Sequence, residues 1–273
     1  MARPKRPKLT LSLSALAKRA LAKSSSAARR FETRAPSAQT AVDLFSGQWA
    51  TDLGRLCAVT GTGASDLLDD ARVTQAAACL GRAGSLDGMA VLELGPLEAA
   101  HTYQLERLGA AVTAVEANKD AFLKCLVVKE LLGLRSRFLC GDVLAFLDAT
   151  PDRYDLIFAS GILYHMSDPV RLIQRIAGHA DRCFLWTHYY AAGQNRFRPK
   201  PSRIDGFDTT LHEYHYGNRR SGQFWGGTRA TTSWMERDEI VRAFHTFGLT
   251  RHAILGEDTD HPAGPAFSVA FWR

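Results

Sequence analysis

The feature that most constrains this chain is a regular alternation of short apolar runs and helical patterns between residues 88 and 190. Runs such as "AVLEL", "VTAVE" and "YDLIFAS" suit strands buried on both faces, and each precedes one helical segment. Strands separated by single helices need crossover connections. The sequence therefore predicts an α/β fold, with a Rossmann-like, doubly wound and mostly parallel sheet. Two strand patterns, "TRHAILGED" and "PAFSVAFWR", predict a C-terminal antiparallel strand pair.

Charge and composition divide the chain into three parts. Residues 1–36 hold ten Lys or Arg and one acid, a balance of +9, whereas the remainder carries −3. We interpret 1–36 as a basic, disordered tail, 37–86 as an N-terminal helical cap, and 87–273 as the Rossmann-like domain. The tail is either a solvated extension, a contact for RNA or another anionic partner, or an organelle transit peptide.

The alternation breaks at about residues 191–232, where no clear period is visible, and we interpret this segment as an irregular functional insertion or lid. A helical pattern, "SWMERDEIVRAFHTFG", follows it. Ser233 precedes Glu236 by three residues, which is the spacing of a capping box. The pattern therefore predicts that this helix has Ser233 as its N-cap.

Polar or permissive residues stand where the predicted strands end, and ligands of such sheets bind at that edge. Gly95 permits a tight turn after the first strand, and Pro96 stiffens it. Glu116 ends the second strand, 21 residues after Gly95, where a carboxylate can accept hydrogen bonds from ribose hydroxyls. Asp142 ends the third strand, where it can accept from an adenine amino group. His165 and Tyr164 follow the fourth strand.

Together these residues resemble class I S-adenosylmethionine-dependent methyltransferases, closely over about 87–190 and more loosely over 231–273. The resemblance implies an enzyme that uses S-adenosyl-L-methionine. It implies that the loop at residues 93–98 contacts the amino-acid part of the cofactor, Glu116 the ribose, and Asp142 the region of the adenine. The expected cofactor-binding residues are Glu93, Gly95, Pro96, Glu98, Glu116, Asp142, Val143, Ser160 and Gly161.

The first loop departs from the family pattern acid-x-G-x-G-x-G, because Leu97 and Ala99 replace its second and third glycines. A nicotinamide dehydrogenase needs such glycines to seat a pyrophosphate, so the departure disfavours that rival. It also leaves Glu98 as an unusual acid. Glu98 either meets the ammonium or sulfonium group of the cofactor, or acts as a first-turn acid that complements the helix dipole.

Methyl transfer from a sulfonium is an in-line displacement that requires alignment and, for a hydroxyl or protonated amine, removal of a proton. His165 is the predicted base, because histidine exchanges protons near neutral pH. Tyr164 is the second predicted catalytic residue. The alternative for His165 is a structural role in ordering the loop before Asp168.

Our first hypothesis is a methyltransferase that acts on an unidentified small-molecule or glycan acceptor. The alternative is a tRNA- or RNA-modifying, or RNA-binding, methyltransferase-like protein. "GILYHMSDP" also resembles a loop of tRNA wobble-uridine carboxymethyltransferase-like enzymes, which leaves a carboxylated donor open, and residues 191–230 hold seven basic residues against three acids. A catalytically silent Rossmann-like scaffold is a third interpretation. The sequence does not predict the oligomeric state.

Five widely spaced cysteines without a CxxC pair predict a reducing compartment, hence a cytoplasmic location. No apolar stretch approaches the roughly 20 residues of a membrane span. His212 and His215 form an H-x-x-H pair, but no other ligand pattern supports it, so we expect no metal site.

Overall fold

We analysed a computed structural model of the chain, which describes residues 31–194, 196–216 and 229–273. Residues 1–30, most of the predicted basic tail, lie outside these ranges, as do residue 195 and residues 217–228 of the predicted insertion. The boundaries proposed for the tail, the cap and the main domain stay predictions.

Ten strands and seven α-helices lie within the described ranges. The strands are β1 (Ala90–Leu94), β2 (Ala111–Glu116), β3 (Arg137–Cys140), β4 (Leu156–Ser160), β5 (Arg182–His188), β6 (Arg198–Ile204), β7 (Phe207–His215), β8 (Thr231–Trp234), β9 (Arg251–Asp258) and β10 (Ala266–Trp272). The helices are α1 (Ala38–Val42), α2 (Ala71–Leu80), α3 (Ala100–Arg107), α4 (Lys119–Leu132), α5 (Val143–Ala149), α6 (Pro169–His179) and α7 (Arg237–Thr246).

The main sheet has seven strands in the order β3-β2-β1-β4-β5-β10-β9. The first five are parallel to one another, whereas β10 runs antiparallel to both β5 and β9. This topology confirms the predicted fold class, including the C-terminal antiparallel pair. Because β1 to β5 point the same way, their carboxyl ends meet at one edge of the sheet.

Helices cover both faces of this sheet, so its central strands are buried on each side. On one face, α5, α6 and α7 pack over a core that includes Ile157, Leu185 and Phe244. On the other face, α2 and α3 cover Phe158 and Phe184, whose rings stack with centroids 4.9 Å apart. This arrangement explains why the strands read as continuous apolar runs.

A third cluster joins the N-terminal segment to α4. It combines residues from 42–68 with Ala99, Ala100, Cys125 and Val128. The helix α4 begins at Asn118, whose side chain caps two backbone N–H groups, and it ends at Gly133 in the left-handed conformation. Gly133 is therefore the left-handed C-cap of this helix.

A smaller antiparallel sheet, β6-β7-β8, lies beside the main one, and we call it the inserted sheet. Our interpretation of this stretch as irregular is therefore wrong for residues 198–215. Asp205 and Gly206 connect β6 to β7 with φ values of 46° and 85°, the signs required by a type I′ hairpin turn. Pro199 and Pro201 are tolerated because β6 is an edge strand.

The predicted N-cap at Ser233 is also wrong. Ser233 belongs to β8, and α7 begins at Arg237 after Glu236, which makes no side-chain capping bond. The Ser233 backbone N–H donates to the Met166 carbonyl at 2.8 Å, and its hydroxyl donates to the Ser167 carbonyl at 3.1 Å. These tertiary bonds occupy the groups that a capping box would have used.

Candidate active site

A cavity of about 850 Å³ opens at the carboxyl edge of the parallel strands. Its volume falls in the upper part of the range of roughly 300–1,000 Å³ that is typical of small-molecule sites. The structure brings nearly all of the predicted site residues to its wall: Gly95, Pro96, Glu98, Glu116, Asp142, Val143, Ser160, Gly161, Tyr164 and His165.

The loop after β1, residues 95–99, which we call the donor loop, keeps the bends that glycines would ease. Gly95 has φ 72°, Leu97 has φ 57° and Ala99 has φ 62°. Left-handed backbone costs a non-glycine residue roughly 1–2 kcal/mol. Leu97 and Ala99 hold the second and third glycine positions of the family pattern, so the loop adopts this conformation without those glycines.

Glu93 is the one predicted cofactor residue that does not line the cavity. It is 1% exposed inside β1, where one carboxyl oxygen accepts a hydrogen bond from the Thr102 hydroxyl. Its Oε1 has no hydrogen-bond partner among the described residues. Burial, with the nearby Glu116 charge, raises the pKa of Glu93 to about 8 although the Thr102 bond opposes the shift. The Glu93 carboxyl is therefore mostly protonated at neutral pH.

Glu116 links the first two loops of the site. Its Oε1 accepts from the Asn118 N–H at 2.7 Å, and its Oε2 accepts from the Leu97 N–H at 3.2 Å. Burial raises the pKa of Glu116, and the backbone hydrogen bonds partly offset that rise. The carboxylate thus reaches the cavity wall in a fixed orientation.

Asp142 and Val143 form the wall at the far end of the cavity. Asp142 is the N-cap of α5, where its Oδ1 accepts from the Ala145 N–H at 3.0 Å. Val143 is buried beside it. A polar acceptor next to an apolar surface is suited to the edge and face of a planar base.

Glu98 has partners that neither sequence interpretation anticipated. It precedes α3, so it is not a first-turn residue of that helix. Its carboxylate accepts from the Thr51 N–H at 2.8 Å and from the Lys124 ammonium at 2.9 Å. Although Glu98 borders the cavity, its charge is directed to the protein.

His165 and Tyr164 occupy a short 3-10 turn, Leu163–His165, after β4. The His165 Nδ1 lies 2.7 Å from the hydroxyl of Tyr216, the residue that follows β7. Burial, reinforced by the nearby Tyr216, raises the pKa of Tyr164 to about 12. Tyr164 therefore keeps its proton at neutral pH and is suited to donating a hydrogen bond.

The inserted sheet is hydrogen-bonded to the backbone of this turn. In β8, the Thr232 hydroxyl donates to the Tyr164 carbonyl and to the Met166 carbonyl, the latter at 3.0 Å. Together with the bonds from Ser233, these contacts fix the backbone on both sides of His165.

Sequence reasoning missed a polar group on the wall between β4 and β5. Arg72, in the first turn of α2, donates to the Ser160 hydroxyl at 2.9 Å, and its guanidinium lies 4.7 Å above the Trp186 ring. Asp70 forms an ion pair with Arg72, and its Oδ2 lies 3.1 Å from the His101 Nε2. Asp70 before "ARV" could have indicated the helix start, but no local motif marks Arg72 or His101 as cavity residues.

This group has defined charges. Burial works to raise the pKa of the Asp70 carboxyl, but the bonds from His101 and Arg72 outweigh it and hold that pKa well below its usual value. Burial lowers the pKa of His101 despite the Asp70 bond, so His101 is neutral at neutral pH. The wall therefore carries one paired cation and one neutral imidazole.

Other sequence features have structural explanations. His212 stacks on Tyr190 with ring centroids 3.4 Å apart, and the described residues contain no group of three potential metal ligands. The cysteines at 57, 79, 125, 140 and 183 are free thiols. Within the described ranges, no helix has both the length and the apolar character needed to span a membrane.

Comparison with known proteins agrees with this geometry. Residues 92–180 match the family model described as a methyltransferase domain. No curated protein matches the chain. The N-terminal domain of EvdMO1, crystallised with SAH and D-fucose, is similar in structure with a TM-score of 0.64 and 21% identity, over 86% of this chain and 94% of that one. An S-adenosylmethionine-dependent methyltransferase from Mesorhizobium loti gives a TM-score of 0.51 at 16% identity, over 76% and 100%.

The family match and the fold define the class of protein. Residues 92–180 form a methyltransferase domain, and they lie within the Rossmann-like fold that the sequence predicted.

Proposed function

We propose that the chain is a class I S-adenosylmethionine-dependent methyltransferase, which transfers a methyl group to a small-molecule or glycan acceptor bound at the β4 and β5 end of the cavity. The observation that carries the proposal is the placement of Gly95, Glu116 and Asp142 on three neighbouring strand ends around one cavity. Acceptor oxygens at two of these ends match the hydroxyl and amino donors of an adenosyl group, and the left-handed Gly95 gives close backbone access.

Each strand end in the order β3, β2 and β1 would bind a different part of the donor. Asp142 and Val143 would hold the adenine, Glu116 the ribose, and Gly95 with Pro96 the amino-acid part. S-adenosylmethionine supplies the electrophilic methyl group when bound. Glu93 would support the donor loop indirectly, because it is buried in β1 and bonds to Thr102 of α3, the helix that follows the loop.

Tyr164 and His165 would face the acceptor, and Ser160 and Gly161 would contact the donor beside it. His165 takes up the proton that a hydroxyl or amine acceptor loses, and Tyr164 donates a hydrogen bond to the acceptor. Trp186 and Arg72 provide a flat wall on which an acceptor can rest. Alignment and exclusion of water supply the remaining rate enhancement.

The RNA alternative stays a prediction, and no contact of the described residues favours it over a small acceptor. In the inserted sheet, Lys200 pairs with Glu213 at 2.9 Å and Arg203 pairs with Asp208 at 3.5 Å. These pairs neutralise two of the basic residues that suggested RNA binding. Arg219 and Arg220 lie outside the described residues.

We also propose a cytoplasmic location. It rests on the five free cysteines, which fit a reducing compartment. Titration of denatured protein, purified without reductant, should find five reactive thiols. Fewer than five would contradict the proposal.

Two measurements test the proposed function. S-adenosylhomocysteine (SAH) should raise the melting temperature, because a ligand that binds only the native state stabilises it. Labelled S-adenosylmethionine should then transfer its methyl group to members of a panel of sugars, glycosides and hydroxylated aromatics, and not to tRNA. If SAH left the melting temperature unchanged, the proposed donor binding would be contradicted. If only tRNA became labelled, and if its binding to the protein on filters weakened as salt increased, RNA would replace the small molecule as the proposed acceptor.

A further inference from the structure

Glu98 sits between the two left-handed residues of the donor loop and is held from outside that loop. It is 1% exposed. Its carboxylate accepts from the backbone N–H groups of Ala50 and Thr51 and from Lys124. A carboxylate with three donors fixes the position of the backbone that carries it.

Lys124 completes this arrangement from α4. Its side chain is 1% exposed and, besides Glu98, its ammonium donates to the Gln48 carbonyl. The ammonium also lies 5.5 Å from the Trp49 ring and 5.9 Å from the Phe45 ring, within the range of cation–π attraction. Trp49 is itself tied down, because its indole N–H donates to the Val42 carbonyl at 2.9 Å. The buried charge pair therefore joins α4, the N-terminal segment and the donor loop.

The missing glycines give this pair a role. Glycine adopts left-handed backbone at no steric cost, whereas Leu97 and Ala99 must be held in it. Leu97 also uses that conformation to donate its N–H to Glu116, so the shape of the loop sets the position of a second donor-site residue. A loop without its glycines needs an external restraint, and Glu98 is bonded at the right place to provide one.

We propose that Glu98 and Lys124 are positioning residues that hold the donor loop in its binding conformation in place of the two absent glycines. The proposal rests on the proposed function, because it assigns the loop to donor binding. It assigns Glu98 no direct contact with the donor.

The test measures SAH affinity by calorimetry in matched variants. Glu98→Gln alone leaves Lys124 buried without its carboxylate and risks unfolding. The main variant is therefore Glu98→Gln with Lys124→Met, which removes both charges. We expect it to fold, as judged by circular dichroism, and to bind SAH at least tenfold more weakly than the wild type.

Rescue by glycine separates positioning from a general structural effect. Adding Leu97→Gly and Ala99→Gly to the charge-free variant should restore the SAH dissociation constant to within threefold of the wild type. The wild type that carries the same two glycines is the reference for this comparison, because it reports any effect of losing the Leu97 and Ala99 side chains themselves. Glycine does not repair lost packing, so rescue is specific to the backbone conformation.

Glu106→Gln is the matched control. Glu106 lies near the other end of α3, where its carboxylate accepts from the backbone N–H groups of Arg135 and Ser136. This variant should lower the melting temperature and leave SAH affinity unchanged. A folded charge-free variant that binds SAH like the wild type, or that glycines fail to rescue, would overturn the proposal. If the wild type itself does not bind SAH, the proposed function fails first.

Discussion

The two halves of the cavity are built in different ways. At the ends of β1 to β3, Glu116 and Asp142 accept N–H bonds from loops within 20 residues of themselves. At the ends of β4 and β5, the bonds span much longer separations: Tyr216 to His165 spans 51 residues and Arg72 to Ser160 spans 88. The two donor-site carboxylates are thus held by local bonds, whereas the acceptor half is assembled from the N-terminal cap and the inserted sheet. The Glu98 restraint on the donor loop also reaches the donor half from distant segments.

The largest expected effect is on the rate of methyl transfer, and it should distinguish the acceptor half of the cavity from the donor half. His165→Gln should lower the rate of methyl transfer about 100-fold, because general bases contribute roughly 10²–10⁴-fold. SAH affinity should stay within twofold, since His165 belongs to the acceptor half. The rate is measured with whichever acceptor the labelling panel identifies. His215→Gln, an exposed histidine at the end of β7, is the control. If the rate of methyl transfer fell less than threefold, His165 would have a structural role in ordering its loop and not a role as the base.

The buried Glu93 carboxyl in the donor half should make the stability of the fold depend on pH. The pKa of Glu93 is about 8 in the folded chain, against an ordinary value of 4.5. The folded state therefore holds a proton that the unfolded state has lost. The stabilisation is fully present below pH 4.5 and is lost as the pH rises through about 8. Between these values, stability should fall by about 1.4 kcal/mol per pH unit.

Glu93→Gln keeps the neutral shape and removes this titration. Urea unfolding at pH 5.5 and pH 7 should show the wild type losing about 2 kcal/mol more than the variant over that interval. The difference between the two proteins cancels the other titrating groups. Parallel pH profiles would mean that the Glu93 carboxyl is already ionised in the folded chain.

A smaller effect tests the attachment of the inserted sheet. Thr232→Val removes the hydroxyl that donates to the Tyr164 and Met166 carbonyls, at a cost of about 1.5 kcal/mol in the free energy of unfolding. SAH affinity should not change, because the bonds belong to the acceptor half. Thr231→Val serves as control, since successive strand residues point to opposite faces. Equal destabilisation by both variants would argue against a specific attachment.

The same contrast governs what the sequence could predict. The sheet, its helices and the donor-half residues follow from local patterns, because buried strands end in polar groups at fixed spacings. Glu93 is the exception. Its place in the family pattern implied a cofactor contact, but the strand alternation turns its side chain away from the cavity, toward Thr102.

Prediction failed where distant segments decide the structure. Ser233 matched a capping box, yet its bonds to the 164–167 loop place it in a strand. The inserted sheet was missed because β6 is mostly exposed and contains two prolines, which hide any period. Asp205-Gly206 was the available signal, since this dipeptide is typical of a tight hairpin. Arg72 and His101 carry no such signal, because only the tertiary fold brings them to the cavity.

In the proposed site, carboxylates at neighbouring strand ends bind the adenosyl group of the donor. Calorimetry of SAH binding to Glu116→Ala tests this assignment directly, with Glu213→Ala in the inserted sheet as control. We expect at least a tenfold loss of affinity for Glu116→Ala, about 1.4 kcal/mol, and no change for the control. Unchanged affinity in folded Glu116→Ala would contradict the placement of the ribose and this assignment with it.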